Sequence, residues 1–252
     1  MLLAAHKDPT ILIGGELSQI GGNYHIGGNE YLPFEACEYV ESFLHFKPFV
    51  SIITNIEEDH LDYFKDLNHI ITSFVKFASL TSDNGCNIVC IDENTTQSIV
   101  QNVKKKAVTY ALNNKNADYT AENITLEKNG CPTFDIFNKD RKVLSVSLNV
   151  AGDHNICNAL GVTAACEFLG IEPEYIKSGL EEFRGAKRRF DRLGKTETGV
   201  DVVDDYAHHP TEIKTTLETA KKMGYNNVWV AFQPHTYTRT AAFLEQFASA
   251  LK

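Results

Sequence analysis

The alternation of apolar and polar positions predicts that strands and helices follow one another along the first half of the chain. Residues 49–56 form a nearly continuous apolar run, which is typical of a strand buried on both faces of a parallel sheet. A helical pattern covers about 67–80, a short buried strand 87–91, and a second helical pattern 95–103. This βαβ alternation predicts an α/β fold with a mainly parallel sheet.

Residues 117–150 carry a different pattern. Short apolar–polar alternations occur there at 124–127, 133–137 and 143–148. Successive short strands of this kind pair with their sequence neighbours through tight turns. We therefore expect an antiparallel extension of the parallel sheet.

Two helical patterns close this first region, one at 153–169 and one that begins at Pro173. A basic segment follows them, and strand and helix patterns then start again. We place a domain boundary at this point, which divides the chain into a first domain, 1–183, and a second domain, 184–252.

The second domain holds at most two strand–helix units. Its predicted elements are a strand at 200–204, a helix at 213–223, a strand at 228–232 and a terminal helix from about residue 240. A sheet of two strands is too small to be complete. We therefore expect the sequence to be truncated in this domain.

The composition is that of an ordinary globular protein, with 252 residues, 43% hydrophobic and 23% charged. The net charge of −9 argues against nucleic acid as a partner, because no basic stripe is available to neutralise phosphates. Six cysteines without zinc spacing suit a reducing cytosol, and Cys157 and Cys166 fall in an apolar helical run where we expect core positions. With no signal-peptide pattern and no apolar span, we expect a cytoplasmic protein.

Residues 11–30 are rich in glycine, but they contain neither GxGxxG nor GxxxxGK[ST]. Flexible turns between short strands are the favoured interpretation of this region.

The densest group of reactive side chains is the run DDYAHHPTE, residues 204–212. It follows an apolar strand pattern, and Pro210 is suited to the first position of the next helix. Ligands bind beyond the carboxyl ends of strands in open α/β sheets, and helix N-termini there favour anions. A polar loop with a helix-start signal is the alternative, but a cluster this dense favours a functional site.

Three further groups of residues are candidates for binding. Glu35 and His60 lie at predicted strand ends and suit Mg²⁺ ligation, although plain polar strand-end residues explain them equally well. Asn155 and Asn158 share one helical face and carry amides that suit the edge of an adenine, but helix capping is the favoured interpretation of these residues taken alone. The basic run 187–189 and Arg239, which lies in a second strand-end loop, suit phosphate oxygens or other anions.

Taken together and in order, six segments resemble the bacterial Mur ligase family. These segments are EACEYVESFLHFKP from Glu35, TNIEEDHLDYF from Thr54, AGDHNICNAL from Ala151, RRFDRLG from Arg188, VDDYAHHPTEI from Val203 and FQPHTYTRT from Phe232. The resemblance implies a partial P-loop-type central ATPase domain followed by a truncated Rossmann-like ligase domain. The family's phosphate-binding GTxGKTT motif would lie just before Met1, so we expect the chain by itself to be inactive.

The resemblance also implies an activity and its partners. ATP would phosphorylate a carboxylate to an acyl phosphate, which an amine then attacks, with Mg²⁺ as cofactor. The motifs most resemble the family member that joins L-alanine to UDP-N-acetylmuramic acid in peptidoglycan synthesis. The alternatives are a relative that attaches a preformed tripeptide to the same sugar, and a non-catalytic nucleotide-binding module.

Residue roles follow from the same resemblance, position by position. Those implied for ATP and the metal are Glu35 and His60 for Mg²⁺, His154, Asn155 and Asn158 for the adenine, Arg189 for the phosphates, Asp205 for the ribose or the phosphate end, and Tyr206 for packing on the nucleotide. His208, His235 and Arg239 would bind the sugar-acid substrate, and His208, Arg189 and Arg239 would act in catalysis. Two positions depart from the family pattern, Thr236 where many relatives have arginine and Cys37 where aspartate is common.

Overall fold

The computed structural model describes residues 1–252, and a six-stranded sheet organises most of them. A separate antiparallel hairpin comes first, formed by β1 (Ile11–Leu17) and β2 (Gly22–His25). The strands of the main sheet are β3 (Val50–Ile53), β4 (Cys86–Cys90), β5 (Ala107–Tyr110), β6 (Tyr119–Leu126), β7 (Pro132–Asn138) and β8 (Arg141–Ser147), and they lie side by side in that order. The β3-β4-β5-β6 pairs are parallel and the β6-β7-β8 pairs are antiparallel. The predicted α/β class with an antiparallel extension is confirmed.

Helices cover both faces of this sheet. Helices α1 (Leu67–Ser79) and α2 (Asn94–Asn102) cover one face, and α3 (Asp153–Phe168) and α4 (Pro173–Glu182) cover the other. Successive strand residues point to opposite faces, so Ile88 lies in the core under α3 whereas Val89 lies in the core under α1.

The N-terminal part of the sheet differs from the prediction at two places. Ile52 is 43% exposed, so the strand at 50–53 is not buried on both faces. The reason is that β3 is the edge strand and has a neighbour on one side only. Phe34 forms a single bridge to Leu12 rather than a strand, so Glu35 follows a bridge and not a strand end.

The C-terminal lobe is small and only partly follows the predicted pattern. It contains the antiparallel strands β9 (Asp191–Lys195) and β10 (Asp201–Asp204) and the helices α5 (Pro210–Lys222), α6 (Tyr237–Ala242) and α7 (Leu244–Ala250). The predicted terminal helix is interrupted at Phe243, whose φ of −117° and ψ of 24° are not helical.

The predicted strand at 228–232 does not form. Its apolar residues have no hydrogen-bonded neighbour strand, and the only strand partner of β10 is β9. Trp229 is consequently 93% exposed. The small core of this lobe is made by Ile213, Phe243 and Phe247. None of the helices combines the length and the hydrophobicity that a membrane span requires.

Ile88→Ala should be far more destabilising than Ile52→Ala, although the two residues are directly paired on neighbouring strands. Ile88 is completely buried, so its truncation leaves a cavity that costs about 2–5 kcal/mol of unfolding free energy. The half-exposed Ile52 serves as the matched control, and its truncation should lower the free energy of unfolding by about 1 kcal/mol or less. Urea denaturation followed by circular dichroism measures both, and equal losses would contradict the edge position of β3.

Candidate functional site between the two lobes

A cleft of about 290 Å³ lies between the first lobe and the C-terminal lobe. The first lobe contributes the loop after β3, including His60, and the residue Tyr39. The C-terminal lobe contributes the turn between β10 and α5 and the loop that leads into α6. The predicted site residues that line the cleft are His60, Tyr206, His208, His235 and Arg239. Residues that are 148 or more positions apart in sequence, such as His60 and His208, therefore meet at one place.

The turn from β10 into α5 is held in shape by its own hydrogen bonds. His209 caps α5 by accepting from the backbone N–H of Thr211, and Pro210 takes the first helical position as predicted. The Glu212 carboxylate accepts from the backbone N–H of His208 at 2.9 Å and of His209 at 3.2 Å. The capping box and the contact between Glu212 and the His208 N–H therefore fix the backbone at His208, directly before α5.

Asp205 ties this turn to the basic segment that precedes it. One carboxylate oxygen accepts from the backbone N–H of Phe190 at 2.9 Å and from the Thr216 hydroxyl at 3.0 Å. The other oxygen accepts from the backbone N–H of Ala207 at 2.7 Å. Asp205 thus orients the Tyr206 turn, and its contact with ribose or phosphate stays a prediction.

Two arginines of the basic segment lie against Tyr206. The guanidinium of Arg188 is 4.7 Å from the Tyr206 ring centre and that of Arg189 is 5.8 Å away. Arg189 also forms an ion pair with Glu212, with an Nη1–Oε1 distance of 3.2 Å. Burial alone would raise the pKa of Glu212, but the backbone N–H of His208 and the charges of His208 and Arg189 outweigh it and lower that pKa.

Arg239 reaches across the cleft to Asp59, which the sequence analysis did not assign to the site. The guanidinium contacts both carboxylate oxygens, with Nη2 at 2.9 Å from Oδ1 and 3.0 Å from Oδ2, and Nε at 3.0 Å from Oδ1. The Arg239 side chain is only 10% exposed, so this bidentate pair is shielded from water. The acidic run 57–59 directly after a strand could have indicated that Asp59 belongs to the site. Its pairing with Arg239, however, depends on the fold.

A second set of contacts joins the lobes beside this ion pair. His209 lies 3.1 Å from the backbone carbonyl of Glu58, and the Thr211 hydroxyl donates to Glu57 at 2.5 Å. The first turn of α5 is therefore attached to the same acidic loop that holds Arg239. These contacts are polar, which is typical of an interface between domains that can move.

The predicted metal ligands Glu35 and His60 do not form an ion pair with each other. Glu35 accepts from the backbone N–H of Gly14 at 2.9 Å. The His60 Nε2 atom instead lies 3.4 Å from the Glu38 carboxylate and 4.0 Å from that of Asp59. Carboxylate oxygens and an imidazole are compatible with a hard cation such as Mg²⁺. Glu38 is a donor that the sequence analysis missed, three positions after Glu35.

Two cleft residues have a strained backbone, although most of the non-glycine residues with positive φ lie elsewhere in the chain. His60 has a φ of +52° and Thr236 a φ of +66°, although neither is glycine. A β-branched residue with positive φ is unusual, and strained residues cluster at binding sites. Thr236 also caps α6 by accepting from the backbone N–H of Arg239 at 3.3 Å. The departure from arginine at this position therefore has a local structural role.

The predicted adenine residues lie at the start of α3, away from the lining of the 290 Å³ cleft. The Asn155 amide donates to the Ala151 carbonyl at 2.8 Å and lies 3.1 Å from His154 Nε2. Asn158, one turn further along, is exposed. The contact of all three with a nucleotide stays a prediction. Cys37, the second departure from the family pattern, is exposed and free.

Family models match both lobes of the chain. The model described as Mur ligase middle domain matches residues 27–166, and that described as Mur ligase, glutamate ligase domain, matches residues 188–252. The chain belongs to the Mur ligase family.

Two curated ligases of similar sequence are longer than this chain. A UDP-N-acetylmuramate–L-alanine ligase of Acetivibrio thermocellus is 49% identical over 252 residues, which is 100% of this chain and 54% of that protein. The protein of the same name from Clostridium perfringens is 47% identical over 97% of this chain and 53% of its own length. The chain spans about half the length of the curated relatives it matches.

Solved structures of Mur ligases show the same fold. A UDP-N-acetylmuramate–alanine ligase from Thermotoga maritima superposes with a TM-score of 0.82 at 31% identity, over 100% of this chain and 54% of that one. A murein peptide ligase from Psychrobacter arcticus gives a TM-score of 0.69 at 26% identity, over 93% of this chain and 54% of that one.

The Asp59–Arg239 pair of this Mur ligase chain should show strong energetic coupling. Both partners are mostly shielded from solvent, so a double-mutant cycle with Asp59→Ala and Arg239→Ala should give about 1–3 kcal/mol in unfolding free energy. The exposed pair Lys214–Glu218 is the matched control and should give below about 0.5 kcal/mol. A coupling for Asp59 and Arg239 no larger than that of the control would show that the cross-lobe pair contributes no stability.

The contribution of Asp59 to the free energy of unfolding should decrease in acid. Burial alone would raise the pKa of Asp59, but the backbone N–H of His60 and the Arg239 guanidinium outweigh it and hold the pKa below its ordinary value of 3.8. Its stabilising effect is therefore present above that value and is lost as the pH falls through the lowered pKa.

The difference in unfolding free energy between wild type and Asp59→Asn should thus be constant over about pH 5–7 and shrink in stronger acid. Carboxyl NMR titration gives the pKa directly, and Arg239→Ala should raise it. An Asp59 pKa that does not change in Arg239→Ala would show that the guanidinium does not stabilise the carboxylate.

Proposed function

We propose that this chain forms the catalytic half of an ATP-dependent ligase that joins L-alanine to UDP-N-acetylmuramic acid. The observation that supports it most is the meeting of His60, Tyr206, His208, His235 and Arg239 in one cleft between two lobes. The names of the relatives at 49% and 47% identity agree with this choice of substrates. In this proposal the lobes divide after α4, near residue 184.

The proposed reaction begins with transfer of the γ-phosphoryl group of ATP to the sugar-acid carboxylate, which yields ADP and an acyl phosphate. The amine of L-alanine then attacks the acyl carbon, and inorganic phosphate leaves as the amide forms. The first step brings a carboxylate and a phosphate together and the second releases a phosphate, so positioning and charge neutralisation dominate the catalysis. The cationic side chains of the cleft are suited to this task.

Arg239 is the cation best placed for the sugar-acid. Asp59 holds its guanidinium at the cleft with three contacts of 2.9–3.0 Å, so its orientation is fixed before a ligand arrives. Arg189, which lies against Tyr206 on the other side of the turn, is assigned to the ATP phosphates. In this assignment Tyr206 provides an aromatic face for the nucleotide, and its 44% exposure leaves that face accessible.

His208 is assigned to the reacting carboxylate. Its Nδ1 atom lies 2.8 Å from the Tyr206 carbonyl and 3.5 Å from Glu212, so the Nε2 atom is the one left for a ligand. An imidazole N–H at this position would donate to the carboxylate and then to the acyl phosphate.

Mg²⁺ is the cofactor of this proposal, held by His60 with Glu35 and with the carboxylate of Glu38 as an additional candidate. When bound, it would neutralise phosphate charge and orient the oxygens that it contacts. The cytoplasm is the proposed location, since all six cysteines are free thiols.

The substrate assignment is tested with the full-length protein that contains this chain. ADP release should require both UDP-N-acetylmuramic acid and L-alanine, and should be much slower when the tripeptide L-alanyl-γ-D-glutamyl-meso-diaminopimelate replaces L-alanine. A preference for the tripeptide would assign the protein to the peptide-attaching ligases. This alternative is considered because a murein peptide ligase has a similar fold, with a TM-score of 0.69. Nucleotide binding without any ADP release would favour a non-catalytic module.

The role of Arg239 is tested by Arg239→Ala in the same protein. Loss of a charged hydrogen bond to the sugar-acid should lower kcat/KM for that substrate by about 10–100-fold. Arg141→Ala is the matched control, because Arg141 also pairs with a carboxylate, Glu167, but lies outside the cleft. If both variants have wild-type kinetics, Arg239 does not bind the substrate.

A further inference from the structure

Two cysteines and an aspartate meet at the carboxyl end of β4, outside the cleft described above. Cys90 is the last residue of β4, Asp92 follows two positions later, and Cys157 lies in the second turn of α3. The Sγ atoms of Cys90 and Cys157 are 3.6 Å apart. The Cys157 Sγ atom is 4.0 Å from Asp92 Oδ2, and one donor atom from each of the three residues lies within 4.8 Å of the others.

These separations are close to those of a tetrahedral thiolate site. A Zn²⁺ ion takes sulfur ligands at about 2.3 Å and carboxylate oxygens at about 2.0–2.2 Å. Two sulfurs on one tetrahedral ion are therefore about 3.8 Å apart, and a sulfur and an oxygen about 3.5 Å. The two cysteines have nearly this sulfur spacing, and the 4.0 Å between Cys157 Sγ and Asp92 Oδ2 is about 0.5 Å longer than the sulfur–oxygen separation.

The Asp92 carboxylate is held rigidly in place by the chain after β5. Its Oδ1 atom accepts from the backbone N–H groups of Asn113 and Asn114 at 2.8 and 3.0 Å, and its Oδ2 atom accepts from Leu112 at 2.8 Å. Oδ2, the oxygen nearer Cys157, therefore keeps one lone pair. Hydrogen bonds of this kind orient carboxylate ligands in metal sites.

The burial of the cluster also suits a bound ion. Cys90 is 5% exposed, whereas Asp92 and Cys157 are partly exposed and leave a path from solvent.

We propose that Cys90, Asp92 and Cys157 form a binding site for one thiophilic divalent cation of the Zn²⁺ class, with water as its fourth ligand. The bound ion joins the end of β4 to the second turn of α3. It is distinct from the Mg²⁺ site assigned to His60, because it shares no residue with that site and its thiolates favour soft cations over Mg²⁺.

Titration of the purified protein with Co²⁺ under argon tests this site. One Co²⁺ per chain should produce a thiolate-to-metal charge-transfer band, Zn²⁺ should remove the band by displacement, and excess Mg²⁺ should leave it unchanged. At a free Zn²⁺ concentration of about 100 times Kd, the unfolding midpoint should rise by about 5–10 °C. The absence of a charge-transfer band would overturn the proposal.

Variants identify the ligands. Cys157→Ser should weaken Co²⁺ binding by more than about 100-fold, since even outer-shell partners contribute about 10–100-fold. Cys90→Ala should do the same and avoids placing a hydroxyl in the core. Cys37→Ser is the matched control, because this exposed cysteine lies outside the cluster, and it should retain the band.

Two results of the variant series would overturn the site. The first is a band of undiminished intensity in the Cys90→Ala/Cys157→Ser double variant. The second is loss of the two thiols to a Cys90–Cys157 disulfide with no uptake of metal, which would assign the pair to redox chemistry. Neither result bears on the proposed ligase activity, which depends on residues outside this cluster.

Discussion

The bidentate contact between Arg239 and Asp59 is the interaction on which the arrangement of the cleft depends. The C-terminal lobe has a core of only three buried apolar residues, and the first lobe contributes none of them. Its contacts with the first lobe are polar, such as Thr211 with Glu57 and Lys222 with Asp153 at 2.5 Å. A lobe held in this way keeps its place through charge and hydrogen bonds, which water and anionic ligands can replace.

The same constraint determines what an incoming anion has to do. Arg188, Arg189 and Arg239 already have the carboxylates of Asp204, Glu212 and Asp59 as partners. A phosphate or a substrate carboxylate therefore competes with an internal carboxylate for each guanidinium that it contacts. Because the Arg239 pair joins the two lobes, ligand binding at this residue and the relative position of the lobes are linked.

The elements that depend on local periodicity could be predicted, and those that depend on a distant partner could not. The helix expected at 67–80 is Leu67–Ser79, because its apolar face and its cap are both encoded locally. The apolar run at 228–232 resembles a strand, yet a strand exists only where a neighbour supplies hydrogen bonds. The site shows the same limit. The sequence predicted His208 and Arg239, which both line the cleft, but it could not reveal that Asp59 would be the partner of Arg239.

The carboxyl edge of the sheet places two chemically different sets of donors on neighbouring strands. The loop after β3 carries carboxylates and an imidazole, whereas the end of β4 carries a thiol that faces a second thiol on α3. Because β3 and β4 are parallel neighbours, both strands end at the same edge of the sheet. The two sets of donors are therefore close together, and their positions alone do not determine which cation each set binds. Ligand softness does, because thiolates favour soft cations over Mg²⁺, whereas carboxylate and water oxygens suit Mg²⁺. Two metal sites of different selectivity are therefore compatible on one sheet edge.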